Sequence, residues 1–355
     1  MIRTSKKSLL TLLLGIVGAQ LLLFSVTTEC VSQANPRRTL LALSKADHTL
    51  AIVDPATFKI LGKVPVGSDP HEVIASADGK MAYVSITGGG KSFEMNAIDL
   101  VALKALPNID TRPLIGPHGL AFEGGKVWFS AEGARAVGSY DPASGKIDWS
   151  MGTGQDRTHM IYVTPDIRRI YTTNVNAGTV SILADTLLPP PTTPTGAVIP
   201  GAKPRQDWVQ TVVKVGPGAE GFDVSPDGKQ LWTAAARDGS IWIIDLIGKK
   251  VAAKLDANVT GANRLKFTPD GKRVLVSCLG MGDLFVFDAQ SHKELKRIPI
   301  GRGAAGILVD PDGSRAFLGC TPDNYVAVVD LKKLEMIGKI DVGGAPDGLA
   351  WALRN

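Results

Sequence analysis

The sequence predicts an all-β protein, a seven-bladed β-propeller with four antiparallel strands in each blade. Two observations lead to this prediction: a short unit recurs seven times at a nearly constant spacing, and each unit contains four short β-rich runs separated by turn residues. Repeats of about 40–45 residues with four strands each are typical of propeller blades, which surround a central channel.

The repeat is marked by a hairpin in which an Asp-Gly pair follows Ser, Thr or Asp. Asp-Gly is a strong signal for a tight turn between two strands. Copies occur at 76–80, 225–229, 268–272 and 310–314, with degenerate copies at 124–126 and 164–166. The seven units begin near Thr39, Met81, Val127, Ile170, Gln230, Arg273 and Arg315.

Each unit has the same internal order of four runs. The first is β-rich, as at 81–86, and the second alternates and closes with Asp, as at 241–245. An Asp side chain can accept backbone N–H bonds two residues further on, which favours a turn at that point. The third run, as at 60–66, is followed by Gly, and the fourth begins with Pro or Ala and leads into the hairpin.

The two ends of the chain predict how the ring closes. The first unit supplies three strands, at 40–44, 50–54 and 59–66, and the C-terminal run 346–354 supplies a fourth. If this last strand becomes the innermost strand of the first blade, no sheet edge is left exposed.

The tetrapeptide Tyr171-Thr172-Thr173-Asn174 and the related Tyr83-Val84-Ser85 recur at one position of the repeat. In this respect the chain resembles the YVTN-repeat seven-bladed β-propeller family, and the resemblance covers essentially all of it after residue 34. It implies the propeller fold but no single activity, because propellers include binding scaffolds, lyases and lactonases.

Residues 1–34 are predicted to be a secretory signal peptide, and residues 35–355 a single propeller domain. Lys6 and Lys7 precede an apolar run at 9–26, and 32–34 offers a small-x-small cleavage site. An uncleaved membrane anchor and a lipoprotein modified at Cys30 are the weaker alternatives. We therefore expect a periplasmic or secreted protein without a transmembrane domain after cleavage.

The charge of the chain does not favour a nucleic-acid partner. The sequence has 39 Lys and Arg against 34 Asp and Glu, a formal net charge of +5 at pH 7, without a basic cluster interleaved with aromatic residues. No serine nucleophile elbow, phosphate-binding glycine loop, CxxCH haem motif or HExxH helix occurs. We expect a monomer.

Polar residues recur at the start of the fourth run, where each innermost strand meets the channel. The residue after the opening one is, unit by unit, His71, His118, His159, Glu220, Asn263, Ala305 and Asp347. Three of the five histidines of the chain thus share one repeat position. Imidazoles and carboxylates suit Zn²⁺, Cu²⁺ or Mn²⁺, so we predict a metal site formed by His71, His118, His159, Glu220 and Asp347. The alternative is a solvated channel mouth.

Basic residues gather in the same loops. Guanidinium groups match carboxylates and phosphates, which predicts a small anionic ligand, with a protein partner as the alternative. The predicted ligand-binding residues are Arg112, Arg157, Arg264, Arg302 and Asn263. Taken singly, each arginine is also compatible with a surface ion pair.

These residues leave two classes of function open. The first is an exported binding scaffold whose channel mouth holds a metal ion or a small anion. The second is a metal-dependent lyase or lactonase, which needs a carboxylate that stays free after metal binding; Glu220 is the candidate base.

Two further features have alternative interpretations. Cys278 and Cys320 occupy equivalent positions in adjacent units, too far apart for a disulfide at normal strand spacing. We expect two free, half-buried thiols rather than a disulfide or thiolate ligands. The Pro-rich insertion at 187–207 is expected to be an extended, mobile surface loop, with partner binding as the less favoured role.

Overall fold

The computed structural model describes residues 38–354, which form seven antiparallel sheets arranged as the blades of a propeller. The innermost strands of consecutive blades contact one another in order around the axis, and the last contacts the first. The predicted all-β, seven-bladed fold is confirmed. The predicted signal peptide, residues 1–34, lies outside the described residues, so it stays a prediction, as does the domain boundary at residue 35.

Each blade extends from an innermost strand at the channel to an outermost strand at the rim. Blades 1 to 3 contain β1 (Arg38–Ser44), β2 (Thr49–Val53), β3 (Ile60–Pro65), β4 (Pro70–Ala75), β5 (Met81–Ile86), β6 (Glu94–Asp99), β7 (Lys104–Ala105), β8 (Ile109–Asp110), β9 (Pro117–Glu123), β10 (Lys126–Ala131), β11 (Ala136–Asp141) and β12 (Lys146–Gly152). Blades 4 and 5 contain β13 (Thr158–Val163), β14 (Arg169–Asn174), β15 (Thr179–Leu188), β16 (Arg205–Lys214), β17 (Ala219–Val224), β18 (Gln230–Ala235), β19 (Ser240–Asp245) and β20 (Lys250–Leu255).

Blades 6 and 7 follow the same order, and the last strand returns to blade 1. Their strands are β21 (Ala262–Phe267), β22 (Arg273–Cys278), β23 (Asp283–Asp288), β24 (Glu294–Pro299), β25 (Ala304–Val309), β26 (Arg315–Cys320), β27 (Tyr325–Asp330), β28 (Glu335–Ile340) and the returning β29 (Pro346–Leu353). Two 3₁₀ turns, Gly88–Gly90 and Thr321–Asp323, complete the regular structure of this part of the chain. Within residues 38–354, no helical segment has the length and apolar character needed to cross a membrane.

Strand β29 closes the ring as predicted. It pairs antiparallel with β1, and Leu41 lies opposite Ala350. The indole of Trp351 donates a hydrogen bond to the carbonyl oxygen of Val309 in blade 7 (2.9 Å) and packs edge-on against Phe317. The C-terminal strand therefore joins the sheet of blade 1 and also packs against blade 7.

The hydrophobic core is divided into seven clusters, one between each pair of adjacent blades. Met95 and Phe129, for example, belong to the cluster between blades 2 and 3, while Trp232 and Phe285 belong to the one between blades 5 and 6. Because both faces of every blade are covered in this way, most residues of the second and third strands of each blade are buried.

Side-chain hydrogen bonds and one close backbone contact explain the sequence of the Asp-Gly hairpins. The carboxylate of Asp78 accepts bonds from the Ser76 hydroxyl (2.7 Å) and the Lys80 N–H (3.1 Å). Gly79 has a φ of +65°, and a β-carbon there would lie 2.4 Å from the carbonyl oxygen of Leu353. Glycine is therefore required at this turn, beside the closing strand.

Two segments depart from the regular blade. The outermost strand of blade 2 is split, since β7 and β8 both pair with β6. In blade 4, β15 and β16 pair over ten residues each, as far as Leu188 opposite Arg205. The predicted Pro-rich loop therefore lies between Leu188 and Arg205, inside the insertion at 187–207, and Thr192 and Val198 form a bridge within it.

Both described cysteines are free, as expected, but they are fully rather than half buried. Each lies in an apolar cluster between two blades, where its thiol approaches a carbonyl oxygen: Cys278 that of Thr260 (3.1 Å), and Cys320 that of Ile300 (3.4 Å). Burial raises the pKa of Cys278 and raises that of Cys320 to about 11, so both are protonated at neutral pH.

Deleting residues 346–355 should destabilise the protein strongly, because the edge of β1 becomes exposed and the packing of Leu349 and Trp351 is lost. At about 1.5–3 kcal/mol for each large apolar side chain, we expect the free energy of unfolding to fall by roughly 5 kcal/mol. Chemical denaturation measures this, with a chain lacking only Asn355 as the control. Equal stability of the two chains would contradict ring closure by β29.

A chain that begins at residue 35 should release two thiol equivalents to a thiol reagent in denaturant without reductant. In the native state the reaction should be slow, because Cys278 and Cys320 are buried and protonated. Absorbance of the released reporter measures both rates. Zero equivalents after denaturation would show a disulfide, contrary to the structure.

Candidate metal centre

All seven residues of the predicted ring line a single cavity of about 340 Å³ at the mouth of the channel. They lie near the start of the seven innermost strands, which are β4, β9, β13, β17, β21, β25 and β29. The sequence repeat therefore identified a true structural ring. Its residues are His71, His118, His159, Glu220, Asn263, Ala305 and Asp347.

A β-bulge turns each ring residue toward the channel. In every blade the pairing between the innermost strand and its neighbour shifts at the ring residue and the residue after it. Bulges bend a strand and re-aim its side chains. Because the bulge recurs seven times at one repeat position, the ring side chains converge on the axis.

Glycine after the ring residue lets neighbouring strands approach closely. A β-carbon at Gly119 would lie 2.6 Å from the carbonyl oxygen of His159, and one at Gly348 would lie 2.4 Å from that of His71. Real β-carbons do not come so near, so a larger residue would push adjacent blades apart. The spacing of the histidines is thus set by the backbone.

The three imidazoles form a continuous row. The ring centroids of His118 and His159 are 3.9 Å apart, and those of His71 and His118 are 4.9 Å apart. His118 and His159 are each 2% exposed. Nδ1 of His118 and Nε2 of His159 have no hydrogen-bond partner among residues 38–354.

Glu132 joins these two histidines, although the sequence did not single it out. It follows β10, and its carboxylate accepts a hydrogen bond from Nδ1 of His159. One ligand atom from each of His118, Glu132 and His159 falls within 4.8 Å of the others. Small side-chain rotations can bring three such atoms onto one ion, since metal–ligand bonds are about 2.0–2.2 Å long. These three residues could hold a metal ion.

A second repeat position explains how Glu132 reaches the mouth. It is the residue directly after the second strand of each blade, where the chain turns back at the same end as the ring. The seven residues at this position are Lys45, Thr87, Glu132, Val175, Ala236, Leu279 and Thr321. Among them only Lys45 and Glu132 are charged. A charged residue at an otherwise uncharged repeat position is the signal by which Lys45 and Glu132 could have been identified from the sequence.

The electrostatics of the cluster favour forms that can bind metal. Burial, reinforced by the neighbouring His159 and His71, holds the pKa of His118 well below the ordinary value of 6.5, so its imidazole is neutral. Burial acts to raise the pKa of Glu132, but the hydrogen bond and charge of His159, together with Arg157, outweigh it and lower that pKa. At neutral pH the cluster therefore presents a neutral imidazole and a carboxylate.

His71 and Asp347, also predicted as ligands, are held by Lys45. The ammonium group lies 2.7 Å from Nε2 of His71, 3.3 Å from Asp69 and 3.4 Å from Asp347. Nε2 of His71 also lies 2.9 Å from Asp69, so protein groups already engage it. Burial lowers the pKa of His71 and raises that of Asp347. Lys45 therefore occupies the position that a metal ion bound to these residues would take.

The predicted ligand Glu220 is engaged in a similar way. One of its oxygens accepts a hydrogen bond from Asn263 (2.6 Å), and the other lies 3.7 Å from Arg157. The structure thus places all five predicted metal ligands at the mouth, but it leaves free ring nitrogens on His118 and His159 and engages His71, Glu220 and Asp347 internally.

The predicted anion-binding residues divide into two groups. Arg157, Arg264 and Asn263 line the cavity. Arg112 and Arg302 are not part of its lining; they are exposed and paired with Asp110 and Asp323, respectively. Their position before the ring in sequence therefore does not bring them into the lining of the cavity.

The mouth has an excess of negative charge. Five carboxylates, those of Asp69, Glu72, Glu132, Glu220 and Asp347, face the three cations Lys45, Arg157 and Arg264. With ionised carboxylates and neutral imidazoles the net charge is −2. A divalent cation would balance it, whereas a free anion would add to it.

Arg264 forms the floor of the cavity. It is buried, and its guanidinium reaches across the channel to Glu72 of β4 at 2.5 Å. Strands β21 and β4 are not neighbours around the axis, as at least two other innermost strands lie between them on either side. The ion pair therefore crosses the channel below the mouth.

No protein-family model matches the chain, and no curated protein sequence matches it either. Solved structures with a similar fold include a protein of unknown function from Desulfotomaculum acetoxidans DSM 771, with a TM-score of 0.69 and 14% identity over 88% of this chain and 98% of that one. Hydrazine synthase of Kuenenia stuttgartiensis has a TM-score of 0.67 and 19% identity over 82% and 92%.

A third similar structure is a candidate 6-phosphogluconolactonase from Bacteroides fragilis NCTC 9343. It has a TM-score of 0.68 and 14% identity, over 88% of this chain and 97% of that one. At such identities the likeness supports the propeller fold alone and carries no activity with it.

Replacing Arg264 with Met should destabilise the protein by about 3–5 kcal/mol, because it leaves the buried carboxylate of Glu72 without its partner. The double variant Arg264→Met/Glu72→Leu should regain most of this loss. Chemical denaturation measures both variants. Arg205→Met, which breaks an exposed ion pair with Asp207, is the control and should cost less than about 1 kcal/mol. An equally small effect at Arg264 would contradict the structural role of the ion pair.

Proposed function

We propose that this chain is an exported propeller of the YVTN-repeat type that binds a divalent transition-metal ion at the mouth of its channel. His118, His159 and Glu132 are the proposed ligands. One observation carries the proposal: two buried imidazoles, each with one ring nitrogen that has no hydrogen-bond partner, lie beside a carboxylate, and one ligand atom from each of the three residues falls within 4.8 Å of the others. Leaving a buried polar atom unpaired costs about 1–3 kcal/mol, and a bound ion would remove this cost.

The hydrogen bond between His159 and Glu132 supports the same arrangement. Because Nδ1 of His159 donates to the carboxylate, a neutral His159 carries its lone pair on Nε2, the nitrogen that has no partner. Pairs of this kind commonly fix the tautomer and orientation of a metal-binding histidine. Glu132 can therefore bind the ion directly or orient His159 toward it.

The donor set and the charge favour Zn²⁺, Cu²⁺ or Mn²⁺ among common ions. Imidazole ligands suit transition metals and are poor ligands for Mg²⁺ and Ca²⁺, which prefer oxygen. A divalent charge also balances the net charge of −2 at the mouth. These arguments select the class of ion and leave the choice among the three to measurement.

Three protein ligands leave an open coordination position on the ion, and the cavity above it has room for a small molecule. We propose that a small anion occupies this position, since an oxyanion can bind the metal while Arg157 lies nearby. The Arg157 side chain is 40% exposed and pairs with Glu132 at 3.2 Å. The anion would thus bind after the metal rather than before it.

A binding role is better supported than a lyase or lactonase role. The enzyme alternative needs a free carboxylate base, and Glu220 was the candidate. One of its oxygens accepts a hydrogen bond from Asn263 and the other lies 3.7 Å from Arg157, so protein groups already contact both oxygens. No specific observation at the mouth favours catalysis over binding.

Calorimetric titration of a chain that begins at residue 35 with Zn²⁺ at neutral pH should show one equivalent of saturable binding. His118→Ala should lower the affinity at least 100-fold, because it removes a ligand without removing core packing. Glu132→Gln should lower it about 10–100-fold, as expected for loss of a ligand or of the partner that orients His159.

Two further variants make this test specific. His48→Ala changes an exposed histidine and should leave the affinity unchanged. His71→Ala should change it less than about 5-fold, since Lys45 and Asp69 already engage His71. A flat titration of the wild type would overturn the metal site, while loss of binding in His71→Ala would point to the three-histidine site predicted from sequence.

A further inference from the structure

Below the mouth, the channel contains a second cavity of about 320 Å³. All seven innermost strands contribute to its lining, and it shares Arg264 with the mouth cavity. The Arg264–Glu72 ion pair crosses the channel between the two cavities. None of the three proposed metal ligands lines the lower cavity.

The wall of the lower cavity is mainly apolar. Leu120, Met160, Phe222, Leu308 and Trp351 contribute large side chains from five different blades. The same side chains also pack against the clusters between blades, and Phe222 belongs to one of them, so the packing of the blades holds the wall in place. An apolar lining with a few polar groups is typical of sites for small organic molecules.

The four charged residues of this lining are arranged in two pairs. Lys266 lies 3.3 Å from Asp223, whose other oxygen accepts a hydrogen bond from the N–H of Phe267 (2.9 Å). Arg264 lies 2.5 Å from Glu72. The polar atom of Trp351 is also satisfied, because its N–H donates to the carbonyl of Val309. The cavity therefore offers no unbalanced charge to a ligand.

We propose that the lower cavity is a second binding site, which takes an uncharged, apolar small molecule. A charged ligand would lose its hydration without gaining an opposite charge, at a cost of several kcal/mol. An uncharged apolar ligand loses little hydration and gains contact with the wall. The volume is roughly twice that of the ~150 Å³ apolar cavity that accepts benzene, so a molecule of two or three aromatic rings fits.

The mouth and the lower cavity differ in what they select. The mouth carries excess negative charge and free imidazole nitrogens, whereas the lower cavity carries balanced charge and apolar walls. This second site does not depend on the metal site, and either can exist without the other.

The test uses N-phenyl-1-naphthylamine, an uncharged dye whose emission increases in apolar surroundings. Titration of a chain that begins at residue 35 should give a saturable increase at one equivalent, with a dissociation constant in the micromolar range. Leu120→Trp fills part of the cavity and should weaken binding at least 10-fold. Leu308→Trp should do the same from another blade, and it serves if the first variant does not fold. Thermal melting shows which variants are folded.

The matched control is Leu295→Trp, which makes the same change at a 49%-exposed position on β24, outside the channel. It should leave the affinity unchanged, as should His118→Ala and saturation with Zn²⁺. A wild type without saturable emission overturns the proposal, and so do folded Leu120→Trp and Leu308→Trp variants that bind as the wild type does. Loss of dye binding in His118→Ala would place the dye in the mouth and also overturn it.

Discussion

The arrangement of the channel mouth depends on how closely the seven innermost strands approach one another at the propeller axis. In four blades glycine follows the ring residue, at positions 119, 221, 306 and 348. At the tightest of these contacts, a β-carbon on Gly306 would lie 2.0 Å from the carbonyl oxygen of Asp347. These glycines lie within the bulges and let the ring residues of adjacent blades meet at the axis. The backbone of the innermost strands therefore positions the ring residues.

A bulge leaves backbone groups without their usual sheet partners, and hydroxyl side chains from the neighbouring strand supply them. The hydroxyl of Ser130 accepts a hydrogen bond from the N–H of Gly119 (2.9 Å) and donates one to the carbonyl of His159. Ser277 accepts from the N–H of Arg264 (3.1 Å) and donates to the carbonyl of Ala305 (2.8 Å). Each serine thus satisfies its own blade and ties it to the next, which makes the ring rigid where ligands would bind.

The fold and the ring positions could be predicted because both depend on short-range patterns that repeat. The Asp-Gly hairpins, the alternation of each strand and the closing strand at 346–354 are all visible in the sequence, and the structure confirms them. The sequence did not show which side chains the ring residues contact. Glu132 meets His159 across a blade boundary, and Lys45 meets His71 in the same way, so neither pairing follows from spacing within one unit. Position in the repeat located the side chains but could not say which were already engaged.

Those engagements make the two sides of the mouth chemically different. On one side Lys45 supplies a permanent positive charge among His71, Asp69 and Asp347. On the other, His118 and His159 lie beside Glu132, which only the partly exposed Arg157 approaches as a cation. The first side already contains a cation in contact with its histidine and its carboxylates, whereas the second has free ring nitrogen atoms beside a carboxylate. On one side of the ring Lys45 therefore takes the place of an ion, while the other side is open to one. The difference arises from this single lysine at the second repeat position.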